Sequence, residues 1–523
     1  MLNSIHSKKR IFVLLTLMAV LTTACGTNPV TKKREFQLVS ESQEIAIGKQ
    51  NYGPARQSQG GDYILDPELT TYVQSIGNKL AAVSDRKLPY EFTIINDSTP
   101  NAWAMPGGKI AFNRGLLYEL NNEAELAAVI GHEMVHAAAR HGAKGMERGL
   151  FLKGAMIAVG IGAQNNDYAK LIVGGAQVGT QLISSKYGRD AESESDLYGM
   201  HYMKKAGYDP SAAVKLQETF VRLSADRKSN FIDGLFASHP PSPERVAANK
   251  VTLAQIGAGG DLGKETYTQK VSHLKATQAA YLAYDEAVKA LAAKDFAKAS
   301  LLAKQAIAGE PREARFQELL GDIALMQKKP EPALALYDKA IKLQPDYFKP
   351  HIQSGIALFN MGKKAEAEAF LKRANELLPT APGHALLGQI AEDRGETALA
   401  LQHYQVAAES NSDIGKEAAA RSIRLDLPRN PAKYLKAGVQ ADSAGNLFAV
   451  VQNNTPVAIG QVQLRLIKRD AQTGRIAAQS APLMMRTGLA AGGRNKLALG
   501  QKISNPQELQ LYQISVEYAQ IIE

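Results

Sequence analysis

A single cysteine, Cys25, stands in the 523 residues, so no disulfide can form within the mature chain and stability has to come from packed cores. Past the N-terminus no apolar run reaches the roughly 20 residues that a membrane-spanning helix needs. The most hydrophobic later segment, residues 149–183, is split by Asn165, Asn166, Asp167 and Lys170 into two short runs, which read as two buried or interface-facing helices. Dense Lys/Arg blocks with interleaved aromatics are missing as well. The formal net charge of +10 is spread thinly, which leaves no nucleic-acid footprint and only unspecific attraction to anionic lipid or acidic polypeptide. A chain of this length exceeds one ordinary core, so several domains are expected.

What is present begins with an export signature over residues 1–24. Lys8, Lys9 and Arg10 precede the apolar stretch IFVLLTLMAVLTTAC, which is too short to span a bilayer and reads as a signal peptide. LTTACG resembles a bacterial lipobox, with Thr22 where Leu is usual. The expectation is an exported, periplasmic chain, either acylated at Cys25 and anchored on a membrane surface or merely cleaved there. Gly26, rather than Asp, resembles the sorting signal for the outer membrane.

Residues 25–62 form a polar lead-in with a short helix around Glu41 to Lys49. A domain over 63–262 follows. Apolar spacing predicts a helix from Pro67 to Ala82, a strand in YEFTIINDS, and a hairpin turned at Pro106-Gly107-Gly108 with its second strand at Lys109 to Asn113. From Glu123 to His141 the pattern is helical, with Asn122 as cap and Gly142 where a helix would end. Few strands among many helices favour an α+β, mainly helical fold over a doubly wound sheet.

Over residues 276–425 an internal period appears. Pro311, Pro345 and Pro379 are spaced 34 apart, and Ala299, Ala333, Ala367 and Ala306, Ala340, Ala374 keep the same step. Gly321 and Gly355 keep it too, with Gly388 one residue short. The phase resembles the tetratricopeptide repeat, an α-solenoid of paired helices in which small residues allow close packing. Such a surface either binds a polypeptide or braces the rest of the chain. Residues 435–523 alternate apolar and polar positions around turn residues and read as a small antiparallel β-domain without a catalytic constellation.

The chemistry is concentrated in GHEMVHAAARHG, residues 131–142. Four residues apart on a helix, His132 and His136 share one face and can meet one ion, while Glu133 points beside it, placed to take a proton from an attacking water. A catalytic zinc needs a third protein ligand. His141 lacks the spacing of the metzincin extension and reads as a helix-end residue. In SKYGRDAESESDLYGM, Glu192 and Asp196 stand one turn apart, so one carboxylate can bind the metal while the other fixes the tautomer of a ligand histidine; Glu194 points elsewhere and is expected to be solvated.

Together with NAWAMPGG at 101–108 and SHPPSPER at 238–245, these motifs resemble the gluzincin metallopeptidases of the HtpX and BepA type. Gly188 and Ser195 depart from the usual Ser and Ala, at positions that touch no expected ligand. The resemblance implies one Zn2+ per chain on His132, His136 and Glu192, with Glu133 as the general base and Asp196 supporting a ligand. It also implies a substrate held in extended form on an edge strand made of Lys109, Ile110, Ala111, Phe112 and Asn113, and His239 as a fourth zinc ligand that keeps the enzyme latent. The implied activity is endopeptidase cleavage of unfolded or misassembled outer-membrane proteins in the periplasm, with the repeats holding substrate or the envelope assembly machinery. The rival expectation is a chaperone or assembly scaffold for outer-membrane proteins with a latent protease site.

Overall fold

The computed structural model describes residues 25–153, 177, 186–224 and 234–522. The signal segment 1–24 and most of the hydrophobic stretch 149–183 lie outside the described residues, so the expectations made for them stand as expectations. The chain divides into two compact units, Met1–Pro379 and Thr380–Glu523.

In the first unit a three-stranded sheet carries the order Glu91–Ile95, Lys109–Asn113, Ala102–Met105, with the first pair parallel and the second antiparallel. The hairpin turns where Pro106-Gly107-Gly108 predicts, because both glycines take positive φ (78° and 82°). Its second strand, however, is the middle strand. Lys109–Asn113 is hydrogen-bonded on both sides, so the expected edge role of Lys109, Ile110, Ala111, Phe112 and Asn113 is corrected: the outer strand of the hairpin is Ala102–Met105. Sequence spacing shows a hairpin but not the parallel neighbour that closes its second strand.

Helices pack on this sheet because their apolar faces match it. Pro67–Ala81, capped by Asp66, buries Leu69, Val73, Ile76 and Leu80. The lead-in helix runs further than predicted, Glu41–Ser58, with a Ser40/Gln43 capping box. Its Tyr52 and Ala55 join Ile95, Trp103 and Met105 in a small core on the sheet.

The long predicted helix is broken. Glu123–Ala138 is one helix and His141–Lys153 another, and the joint is Arg140 at φ 65°. A left-handed non-glycine residue costs about 1–2 kcal/mol. Here the buried Arg140 guanidinium offsets it by pairing with Glu44 and bonding the Val39 carbonyl, contacts from the lead-in that local pattern cannot show.

Three helix pairs follow in the first unit, Gln278–Ala292 with Phe296–Gly309, Ala314–Met326 with Pro330–Leu343, and Phe348–Asn360 with Lys364–Leu377. The periodic alanines are fully buried between them. A Cβ on Gly321 would lie 2.4 Å from the Tyr337 ring, and one on Gly355 2.6 Å from Leu371. Gly321→Ala is therefore expected to lower stability by about 1–3 kcal/mol through overpacking, despite the better helix propensity of Ala, as read from the urea midpoint.

The second unit holds the helices Ala381–Asp393, Thr397–Ala407 and Asp413–Asp426, then two antiparallel sheets. One has the order Arg494–Lys502, Asn446–Asn453, Leu435–Ala441; the other runs Leu483–Met485, Ile459–Arg469, Tyr512–Ile521, with Ile476–Gln479 also on Ile459–Arg469. Alternate residues such as Ala449, Val451, Val462 and Leu464 form their shared core, which is the period-two pattern of the sequence made real.

Candidate metal centre

Asn122 caps the helix Glu123–Ala138 through its side chain, which accepts from the Glu125 backbone N–H at 2.9 Å. The helix Arg189–Lys205 crosses it closely because glycines meet at the crossing. A Cβ on Gly199 would stand 3.1 Å from the His132 backbone nitrogen, and one on Gly131 3.2 Å from the Gly199 backbone oxygen. Two backbones brought this near deliver Glu192 to His132 and His136.

The result is a buried group of His132, His136, Glu192 and His239 whose donor atoms all lie within 4.8 Å of one another. Nε2 of His132 and of His136 are 3.0 Å apart, and both face the Glu192 carboxylate at 3.5 and 3.4 Å. His239 enters from the loop after the short helix Leu235–Ser238. Its Nδ1 lies 3.0 Å from Glu192 Oε1 and 3.3 Å from His132 Nε2. Three imidazoles and a carboxylate, converging and buried, form a donor set that suits zinc.

Glu133 sits beside the group, with Oε1 3.4 Å from His239 Nε2. Both its oxygens are buried without a hydrogen-bond partner, and a native carboxylate in that condition asks for an explanation. A cleft adjoins it, with Val129, Met203, Leu216 and Phe220 among its walls.

Asp196 accepts a hydrogen bond from His132 Nδ1–H at 2.9 Å, leaving Nε2 to face the group. Sequence reasoning missed the partner of this carboxylate. Arg245, on the helix Pro243–Ile256, donates from Nε and a terminal nitrogen to the two Asp196 oxygens, both at 2.7 Å, and lies 2.8 Å from Glu192 Oε2. Arg245 closes the SHPPSPER stretch that also carries His239. His141 stands at a helix end, as expected, and outside the ligand group, but it also contacts a ligand: its Nδ1 is 2.9 Å from His136 Nδ1 and its Nε2 3.3 Å from Glu194. Glu194 is accordingly half-buried and paired rather than solvated, because the break at Arg140 turns His141 back toward it. Tyr187, also unforeseen, stacks on His136 with ring centroids 3.8 Å apart.

Burial raises the Glu133 carboxyl above the usual carboxylate range. Burial would lower His132, but Glu192 and Asp196 outweigh it and lift the imidazole to about 10. Burial holds His136 well below the usual histidine value. For Glu192 burial is outweighed by His239 and His132, which hold it well below the carboxylate range; for Asp196 it is outweighed by His132 and Arg245. The centre thus carries more negative charge than Arg245 neutralises. Either a proton on His132 or a cation between the ligands supplies the balance.

Cys25 opens a short strand, Cys25–Thr27, paired antiparallel with Arg34–Phe36. Among the described residues no helix is long and apolar enough to cross a membrane.

Residues 67–252 match the sequence model of peptidase family M48, and residues 284–348 and 324–390 match tetratricopeptide repeat models. The chain is 26% identical over 422 residues to the "Beta-barrel assembly-enhancing protease" of Yersinia pestis, which covers 74% of this chain and 84% of the relative. To the Escherichia coli (strain K12) protein of that name it is 26% identical over 409 residues, 67% of this chain and 82% of the relative. To the "Mitochondrial metalloendopeptidase OMA1" of Schizosaccharomyces pombe it is 32% identical over 226 residues, 42% of this chain and 63% of the relative. The chain thus carries a peptidase family M48 domain followed by tetratricopeptide repeats, and it is a metallopeptidase.

Proposed function

We propose that this chain is a zinc-dependent endopeptidase of the cell envelope that cleaves unfolded or misassembled outer-membrane proteins, held latent by His239. The observation that carries the reading is the buried Glu133 carboxylate, without a hydrogen-bond partner, beside a converging His132, His136, Glu192 and His239 group. The substrate class rests on the relatives named as β-barrel assembly-enhancing proteases. The N-terminal signal and Cys25 support export and a lipid anchor at the outer membrane, and the repeats are the natural site for a substrate or assembly partner.

His132, His136 and Glu192 would hold one Zn2+, with His239 as a fourth, displaceable ligand. An ion held there would supply Lewis-acid chemistry, acidifying a water and polarising a peptide carbonyl. Glu133 accepts the proton of the attacking water and passes it to the leaving amine. Asp196 and Arg245 fix the His132 ring, and His141 fixes that of His136. An extended substrate adds to the outer edge of Ala102–Met105, which no strand occupies among the described residues.

As a fourth protein ligand His239 would compete with water for the ion, and its place in the group supports the latent reading. His239→Ala is expected to raise cleavage of an unfolded envelope protein while zinc stays bound, with rate and metal content measured side by side. No gain under any condition tested would remove the latch.

A further inference from the structure

The repeats do more than follow the catalytic domain in sequence: their second helix pair grips the loop between the strands Glu91–Ile95 and Ala102–Met105. Asn96, at the start of that loop, donates from its side chain to buried Glu313 at 2.9 Å, and Tyr281 donates to the same carboxylate at 2.6 Å. Arg315 donates to the Asn96 backbone oxygen and lies over the Tyr284 ring, 5.1 Å from its centroid. From below, Arg114 holds Asn96 Oδ1 at 3.1 Å and the Ser98 hydroxyl at 2.7 Å. First helices of neighbouring pairs therefore bind a segment of their own chain.

The other end of this loop touches the latch. Leu235 donates its backbone N–H to the Pro100 oxygen at 2.9 Å, and His239 donates its backbone N–H to the Leu235 oxygen at 2.8 Å. Gly234 lies so close that a Cβ there would be 2.2 Å from the Pro100 oxygen. Hydrogen bonds from Glu313 and Arg315 to Asn96, the backbone of Asn96–Pro100, and hydrogen bonds from Leu235 to Pro100 and from His239 to Leu235 thus connect the repeats to the histidine in the metal group. Buried hydrogen bonds hold their partners to within a few tenths of an ångström.

We infer that Glu313 and Arg315 are positioning residues for His239: by clamping Asn96 they hold the loop that seats Leu235–His239, and a polypeptide that competes for this clamp releases the latch. This rests on the latch proposed above. It gives the repeats a task beyond substrate capture, namely setting whether the fourth ligand is in or out.

The test uses the full chain loaded with cobalt(II), whose visible absorption changes when a fourth protein ligand leaves, alongside cleavage of an unfolded envelope protein. His239→Ala sets the unlatched spectrum and rate. Arg315→Leu and Gly234→Ala, at opposite ends of the path, are each expected to move the spectrum toward it and to raise cleavage about 2- to 30-fold, the range over which residues along a coupling path act. Adding His239→Ala to either should bring no further change, and Arg315→Lys, which keeps a donor for Asn96, should stay near the parent. Parental spectra in Arg315→Leu and Gly234→Ala with a moved spectrum in His239→Ala would overturn the coupling and leave the latch standing, as would effects that add to those of His239→Ala. An unmoved spectrum in His239→Ala would overturn the latch and the coupling together. If Arg315→Leu lacks a cooperative melt, Gly234→Ala decides alone.

Discussion

Glu133→Gln is expected to keep its metal and lose cleavage by about 10²–10⁴-fold, the range attributed to a positioned acid–base group. The amide has nearly the shape of the carboxylate, so the fold and the donors of His132, His136 and Glu192 stay as they are. What disappears is an acceptor: both Glu133 oxygens are buried without a hydrogen-bond partner beside the group. Metal content by mass, with cleavage of an unfolded envelope protein by the same preparation, checks it. Equal cleavage by variant and parent would remove Glu133 from its role. The pH profile gives a second check. Burial raises the Glu133 carboxyl, and only its ionised form accepts a proton. The rate should therefore fall on acidification at a pH above the usual carboxylate range.

The second large effect is expected at the ligands. Glu192→Gln or His136→Ala should abolish tight metal binding and, with it, cleavage. Asp196→Asn, which leaves every donor in place but weakens the hold on His132 Nδ1, should cost about 10- to 100-fold in metal affinity. Titration of metal into the stripped protein separates the two cases. Metal affinity should also fall as pH is lowered, because His132 must give up the proton that Glu192 and Asp196 stabilise there before its nitrogen can bind an ion. The same titration should raise the melting temperature, since an ion that binds only the folded chain stabilises it. An Asp196→Asn chain that binds metal like the parent would show that Arg245 and packing alone hold the ring.

Much of the site is legible in the sequence for reasons of periodicity. His132 and His136 lie one turn apart, Glu192 and Asp196 likewise, and a helix places such pairs on one face regardless of what surrounds it. The repeats are legible because small residues recur at 34, and the structure shows why: Gly321 lies against Tyr337 and Gly355 against Leu371, where no side chain fits. Three other features depend on residues distant in the chain. The strand Lys109–Asn113 lost its edge to Glu91–Ile95, a parallel neighbour. Arg140 breaks a helix that its own neighbours would continue, because Glu44 lies almost a hundred residues upstream. Arg245 and Tyr187 reach the centre from outside the histidine motif, one through Asp196 and the other by stacking on His136.

The sequence by itself determined the chemical inventory: two histidines and two carboxylates at helical spacing, a repeat of paired helices, and an alternating β-segment near the C-terminus. Those properties are local, and a period of 3.6, 34 or 2 can be counted without coordinates. Tertiary structure alone decided which strand of the hairpin lies outermost, what carries His141 and Glu194 to the back of His136, and that the repeats bind the loop Asn96–Pro100, which in turn bonds Leu235. Each of these turns on buried hydrogen bonds or ion pairs between residues far apart in sequence, and no spacing rule reaches that far.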